Sequence, residues 1–322
     1  MIAFRKPSPA ISAGTGALAI TLAVECALRI FCGLGHPPLV YADSRFGYAL
    51  APNQSCVRFG HRVFYNAEGL RSEKLRPLTG AAYRILCVGD SVTNGGAPTN
   101  QADTYPYQLE RMLRDRGHDV QVLNASAGGW ALGNEYGFLV TKGIFGARVV
   151  VLEVGSHDLY QKTAPSTVVG TDPNFPDHPP VLAIGELLSR YLLPRAPGPI
   201  RKLAPSSSEE KSIWDTNYLT QRDYESCFLT LKAMSLLVTR SGARLVVLLA
   251  PDKTESVSGR YRFDHCQDLR ALSASAGGQL VELLPVWHAS LVEGRNPYRD
   301  TVHPNPEGNR MMAQAVAAVQ AP

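Results

Sequence analysis

Arg84-Ile-Leu-Cys-Val88 runs without a break into Gly89-Asp-Ser-Val-Thr-Asn-Gly95, and the fold is read outward from this junction. The first half is a short apolar run, suited to a strand buried on both faces of a parallel sheet. The second half is small, polar and bounded by glycine, the composition of a tight turn at a strand end. Tyr107, Leu109, Met112 and Leu113 then have helical spacing, and Gly117 stands where a C-cap belongs.

The alternation continues downstream. Val120-Gln-Val-Leu123 reads as the next strand, a helix runs through Phe138 to Phe145, and Arg148 to Val154 is a third strand. After Tyr160 the pattern stops for about sixty residues, punctuated by prolines from Pro165 to Pro199, with one helical piece near Leu182 to Leu193. A loop of that length inside a domain is read as an insertion, and its Ser/Glu/Lys run at 206–212 as solvated. The alternation resumes with a helix over Tyr224 to Arg240, a strand over Arg244 to Leu249, a helix around Asp264 to Ala276 and a strand over Gln279 to Leu283. Asn305-Pro306 supplies an Ncap and N1 pair for a closing helix. Five strands alternating with helices predict a three-layer α/β/α domain whose parallel sheet is covered on both faces. Ligands in such sheets collect at the carboxyl ends of the strands.

The chain has 322 residues, 45% of them apolar, with a net charge of +4 and no run of Lys or Arg. That composition supports an ordinary core and excludes a nucleic-acid partner as the first reading. Six cysteines lie without metal-ligand spacing, so no metal site is expected. Cys56, Cys227 and Cys266 are open to pairing, and free, mostly buried thiols are the simpler reading.

The N-terminus carries Arg5 and Lys6 ahead of an apolar stretch from Ile11 to Leu34, long enough to cross a bilayer. Glu25 and Arg29 interrupt it at a spacing that lets them pair on one helix face, and Arg29 is near enough to the far end to snorkel. The basic flank on the short side favours an exported body. A membrane anchor is therefore expected over 1–35, with the remainder extracytoplasmic (periplasmic or extracellular); a cleaved signal and a buried soluble helix are the alternatives. His36-Pro37-Pro38 is expected to break the helix. Residues 36–80 read as an extension packed on the main domain, without chemistry of its own, and 81–322 as the main domain with its insertion at about 160–220.

Four segments at strand ends have unusual content: Gly89-Asp-Ser-Val-Thr-Asn-Gly95, Asn124-Ala-Ser-Ala-Gly-Gly129, Gly155-Ser-His-Asp158 and Asp300-Thr-Val-His-Pro304. A serine hydroxyl becomes a useful nucleophile when a neighbouring base takes its proton. A histidine is such a base near neutral pH, and a carboxylate fixes its tautomer. Asp and His three residues apart on a turn can face the same way. Small residues around Ser91 and Gly129 let backbone N–H groups approach a developing oxyanion.

In order and spacing these blocks resemble those of the SGNH/GDSL hydrolase family, over roughly residues 83 to 320 apart from the insertion. The resemblance implies a flavodoxin-like five-stranded sheet, Ser91 as nucleophile, His303 as base and Asp300 as its orienter. It also implies an oxyanion hole from the backbone of Ser91 and Gly129 and the third-block side chain. That block is Gly-x-Asn-Asp in the family, and His157 stands in the asparagine's place. An imidazole N–H can also donate, with a pH dependence expected near neutrality, and a buried structural histidine is the alternative. Asp158 is read as a brace of its loop, and Trp130 as either packing or lining a pocket. His36, His61, His118, His178, His265 and His288 share no spacing and are read as bland.

The expected activity is hydrolysis of small acyl esters, O-acetyl among them, through an acyl-serine intermediate and without a cofactor. The implied partner is an acyl-ester small molecule or a cell-envelope or secreted polysaccharide. Two alternatives remain: an O-acyltransferase with the same Ser-His-Asp set, and a catalytically silent carbohydrate-binding or assembly factor.

Overall fold

In the computed structural model, which describes residues 9–203, 220–263 and 265–319, two antiparallel hairpins precede the main sheet. β1 (Val40–Asp43) pairs with β2 (Gly47–Leu50), and β3 (Gln54–Arg58) with β4 (His61–Tyr65). Five parallel strands follow: β5 (Tyr83–Gly89), β6 (Val120–Ser126), β7 (Val149–Gly155), β8 (Arg244–Ala250) and β9 (Leu280–Glu282). Their order is β6-β5-β7-β8-β9, the flavodoxin-like arrangement, whose order reverses between β5 and β7.

The period-two alternation of each strand separates two cores. Leu86 and Val88 of β5, Val150 and Leu152 of β7, and Val247 and Leu249 of β8 face one layer. Ile85 and Cys87, Val149 and Val151, and Val246 and Leu248 face the other. Helices Leu132–Lys142, Gln221–Arg240 and Cys266–Ser275 cover the first face; Tyr105–Asp115, Leu284–Val292 and Pro306–Val319 cover the second. Burial on both faces is what selects Val, Leu and Ile in near-continuous runs.

Several elements depart from the sequence reading. The helix expected to reach Phe145 ends at Lys142, where Gly143 takes a positive φ. Helices Lys253–Ser258 and Leu284–Val292 and the β1–β2 hairpin were not foreseen. The 206–212 run and the Arg5/Lys6 flank lie outside the described residues. No disulfide forms among the described residues; all six cysteines are free thiols.

The apolar helix runs Pro9–Ala27 and continues as a π-turn over Leu28–Cys32. It stops at Gly33, with φ 67°, before the His36-Pro37-Pro38 signal is reached. A Cβ at Gly33 would lie 1.8 Å from the Val57 carbonyl oxygen, so the hairpin's close approach demands glycine there. The stretch Thr15–Cys32 is long and apolar enough to cross a membrane and is almost wholly exposed. The charged pair inside it forms as spaced, Arg29 Nε to Glu25 Oε1 at 2.6 Å. It also clamps the insertion: Glu25 accepts from the backbone N–H groups of Ala183 and Ile184, and Arg29 donates to the Val181 carbonyl.

Residues 36–80 are woven into the first core through Phe46, Tyr48, Leu50, Val63 and Tyr65. Arg58 and Glu186, both buried, pair between β3 and the insertion. Arg71 is buried, and its guanidinium donates to the carbonyls of Asn94, Gly96 and Thr99, in the loop that follows β5.

Candidate active site

Strand β5 ends at Gly89, and Asp90 begins a four-residue helical turn, Ser91–Asn94, by accepting from Val92 N at 2.7 Å. Asp90 is thus the cap, and Ser91 occupies the first helical position, half-buried, with its hydroxyl free of capping duty. The turn is braced from β6: Asn124 Nδ2 donates to the Thr93 carbonyl and Asn94 Nδ2 to the Ser126 carbonyl. From the extension, Tyr65 Oη donates to Asn94 Oδ1.

Ser91 Oγ lies 2.9 Å from His303 Nε2. His303 Nδ1 lies 3.0 and 2.9 Å from the two oxygens of Asp300. Asp300 Oδ1 also accepts from Val302 N and His303 N, so the side chain closes the turn that carries both residues. Burial opposes the charge on Asp300, but the His303 ring and these two backbone N–H groups outweigh it and hold the carboxyl far below its usual range. The turn is pinned to its surroundings by Arg299, which reaches Thr99 Oγ1, and by Lys253 N, which donates to the Thr301 carbonyl. An anionic Asp300 fixes the proton on Nδ1 and leaves Nε2 able to accept the Ser91 proton.

Gly128 and Gly129 form the turn after β6. A Cβ on Gly128 would sit 3.8 Å from Ser91 Cβ, which puts this backbone beside the serine. Gly129 has φ 78°, and a Cβ there would meet Tyr48 Oη at 2.9 Å and Phe175 Cζ at 3.4 Å, so only glycine is unstrained. Tyr48 Oη donates to the Gly128 carbonyl, fixing the turn. Trp130 resolves to packing: it is buried, and its Nε1 donates to the Tyr48 carbonyl.

His157 follows β7 and turns Nε2 toward two carboxylates, Asp158 Oδ1 at 3.3 Å and Asp90 Oδ2 at 3.6 Å. Burial disfavours its cation, but Asp158 and Asp90 outweigh that cost and raise the ring to about 9. The titration expected near neutrality is therefore displaced upward, because the asparagine position of the third block is walled by acids. Burial and Asp90 push Asp158 up to about 7 against the opposing pull of His157. Burial pushes Glu135 and Glu153, behind them, far above the usual carboxyl range. Asp158 also accepts from Gly155 N at 2.7 Å, bracing its loop. Asp90, His157 and Asp158 hold ligand-type atoms within 4.8 Å of one another. The short His157–Asp158 and His157–Asp90 distances make the trio an ion-paired cluster whenever the ring is protonated.

A raised histidine stabilises the fold fully below its unfolded value of 6.5, and the contribution is lost as pH rises through about 9. The shift corresponds to roughly 3 kcal/mol. The melting temperature of the native protein is expected to fall, relative to His157→Asn, between pH 6.5 and 9. Parallel curves for the two proteins in that window would contradict the charged state assigned to His157.

These groups open on a cleft of about 870 Å³. Ser91, His303, His157 and Gly129 lie on its wall at the carboxyl edge of the sheet. The opposite wall comes from the extension and the insertion, including Tyr48, Tyr65, Phe175 and Arg190. From 36–80, Tyr48 and Tyr65 line the cleft and hold its two turns. Sequence patterns could not have found them, because an isolated tyrosine in an extension has no spacing signal. His265 stacks on Tyr224 with ring centroids 3.5 Å apart, outside the cleft.

A family model described as GDSL-like lipase/acylhydrolase matches residues 87–311. No curated protein matches the chain. Among solved structures, the one titled TesA is 18% identical with a TM-score of 0.46, covering 73% of this chain and 97% of that one. A member of the lipolytic G-D-S-L family from Veillonella parvula is 14% identical with a TM-score of 0.44, covering 74% and 98%. A two-domain esterase active on acetylated mannans is 12% identical with a TM-score of 0.43, covering 74% of this chain and 48% of that one.

Proposed function

Since the chain belongs to the GDSL-like lipase/acylhydrolase family, we propose that it is a serine esterase in which Ser91 is the nucleophile, His303 the base and Asp300 the orienter of that base. One observation carries the reading: the continuous hydrogen-bonded chain from Ser91 Oγ through the His303 ring to Asp300, facing the cleft. Ser91 attacks the ester carbonyl as His303 takes its proton; the imidazolium returns that proton to the departing alkoxide, leaving an acyl-serine. Water, activated by the same ring, completes hydrolysis. The backbone N–H groups of Ser91 and Gly129 donate to the tetrahedral oxygen, and the His157 ring nitrogen not turned toward Asp90 and Asp158 is the third donor.

The cleft's composition supports a sugar ester as substrate. Phe175 and Tyr48 meet edge to face, 4.7 Å between centroids, and present an aromatic wall. Gln161, Thr171, Asp172, Asn174 and Arg190 ring it with hydrogen-bonding groups. An apolar wall with a polar rim suits a pyranose carrying a small acyl group, such as an O-acetyl substituent of an envelope or secreted polysaccharide. A fluorophosphonate probe is expected to label Ser91, and an ester panel with and without sugar acceptors separates hydrolysis from acyl transfer. An unlabelled Ser91 in folded protein would refute the esterase in favour of a silent binding factor.

His157→Asn is expected to keep substantial activity, and His157→Ala to lose about 10²–10³ in kcat, the usual effect of deleting one oxyanion donor. Equal, modest activity in both would leave His157 a structural role only. The apolar helix is proposed as an uncleaved anchor that holds the cleft on the extracytoplasmic side. Full-length protein should sediment with membranes and resist a carbonate wash; recovery in the cytosolic fraction would overturn the anchor.

A further inference from the structure

The apolar helix is not joined to the domain by a free tether. Its last two turns are clamped to the insertion by Glu25, which accepts from Ala183 N and Ile184 N, and by Arg29, which donates to the Val181 carbonyl. On the other side the tip of the β3–β4 hairpin closes on the helix end, Phe59 N donating to the Cys32 carbonyl at 3.0 Å. Hairpin and insertion are themselves locked by the buried Arg58–Glu186 pair and by the edge-on contact of Phe59 with Tyr191, 5.4 Å between centroids. Helix, hairpin and insertion therefore hold a fixed relation at this end of the molecule.

The surface gathered there is apolar and uncovered. Val181 is 89% exposed, Phe31 77% and Ile30 75%. Leu182, Leu188 and Leu192 of the insertion and Val57 and Phe59 of the hairpin are also exposed. Exposed side chains of this size gathered on one surface mark an interaction site. Depth identifies the occupant. Glu25 precedes Cys32 by about 10 Å along the helix, at about 1.5 Å per residue. With the span running to Cys32, the Val181–Ile184 segment bonded to Glu25 sits below the plane at which the helix leaves the bilayer.

From this we infer that the insertion helix and the hairpin tip form a collar that seats in the interfacial layer of the bilayer, around the exit of the helix. The inference rests on reading the helix as a membrane anchor. Interfacial segments place apolar side chains about 5–10 Å into the headgroup and acyl boundary, the depth the clamp imposes. The collar is continuous with Leu18, Ile20, Leu22 and Val24 of the helix, which are exposed along the span. A water-soluble protein partner would have to enter the same layer to cover it. The collar also borders the cleft, because Arg190 lies between Leu188 and Leu192 in sequence and lines the cleft wall. The partner is thus the lipid surface itself, and the cleft takes esters presented close to it.

Photocrosslinking of the full chain tests this, in phosphatidylcholine–phosphatidylglycerol vesicles, with a benzophenone side chain placed at one position at a time. Leu188 and Leu192 probe the collar, Leu22 the span, and Val292, exposed on a helix of the other core layer, sets the background. All four side chains point into solvent or lipid, and a melting transition like that of the native protein verifies the fold of each variant. Lipid adducts at 188 and 192 several-fold above those at 292, together with adducts at 22, are expected. Adducts at 22 with background levels at 188 and 192 would overturn the collar and leave the anchor standing. Background levels at 22 as well would overturn both.

Discussion

Ser91→Ala is expected to abolish ester turnover, a loss on the order of 10⁶ in kcat, and His303→Ala to do the same. The two losses should not add, because each removes the same proton-coupled attack. Ser91 Oγ has two protein partners, His303 Nε2 at 2.9 Å and Asp90 Oδ2 at 3.4 Å, and neither bond ties a secondary-structure element to another. Stability should therefore move by no more than about 1 kcal/mol, the worth of one ordinary hydrogen bond. The fluorophosphonate adduct should vanish with the hydroxyl. A double variant far slower than either single one, or an alanine variant retaining measurable kcat, would remove these residues from the reaction.

Asp300→Asn is expected to lower kcat by about 10⁴ while leaving the turn intact. Asp300 Oδ1 accepts from Val302 N and His303 N, and the amide oxygen of asparagine takes over those two bonds. That leaves the NH₂ group where Oδ2 stood, 2.9 Å from His303 Nδ1. The NH₂ group competes there with the amide oxygen, which stays 3.0 Å from Nδ1, and favours the tautomer with its proton on Nε2, which cannot accept from Ser91. The aspartate itself is held so far below its usual range that it should not appear in the pH–rate profile. An asparagine variant within tenfold of the native rate would mean that the ring's tautomer is set elsewhere.

The sheet was legible because burial on both faces writes a plain pattern: the runs at Ile85 to Val88, Val149 to Val154 and Leu245 to Leu249 allow little else. The candidate site was legible for a different reason. Its groups lie in short blocks at strand ends, where Ser91, Gly129 and the Asp300/His303 turn each need particular residue types at fixed spacing. The surroundings were not legible. Tyr48, Phe175 and Arg190 reach the cleft from the extension and the insertion, where no motif marks them, and only tertiary structure brings them in. The charge on His157 is favoured by Asp158, its neighbour in the chain, and by Asp90, which only the fold brings to the ring. The Glu25–Arg29 spacing revealed a pair but not that the pair grips the insertion.

Arg71 has a consequence for where this protein begins as a folding unit. Its guanidinium satisfies three carbonyls in the segment that immediately follows the nucleophile's turn, yet it lies upstream of the region shared with the family, residues 87–311. Buried carbonyls left without donors cost about 1–3 kcal/mol each, comparable in sum to the whole stability of a modest domain. A protein shortened to that shared stretch is expected to lose these three bonds and, with them, the support of the loop beside Ser91.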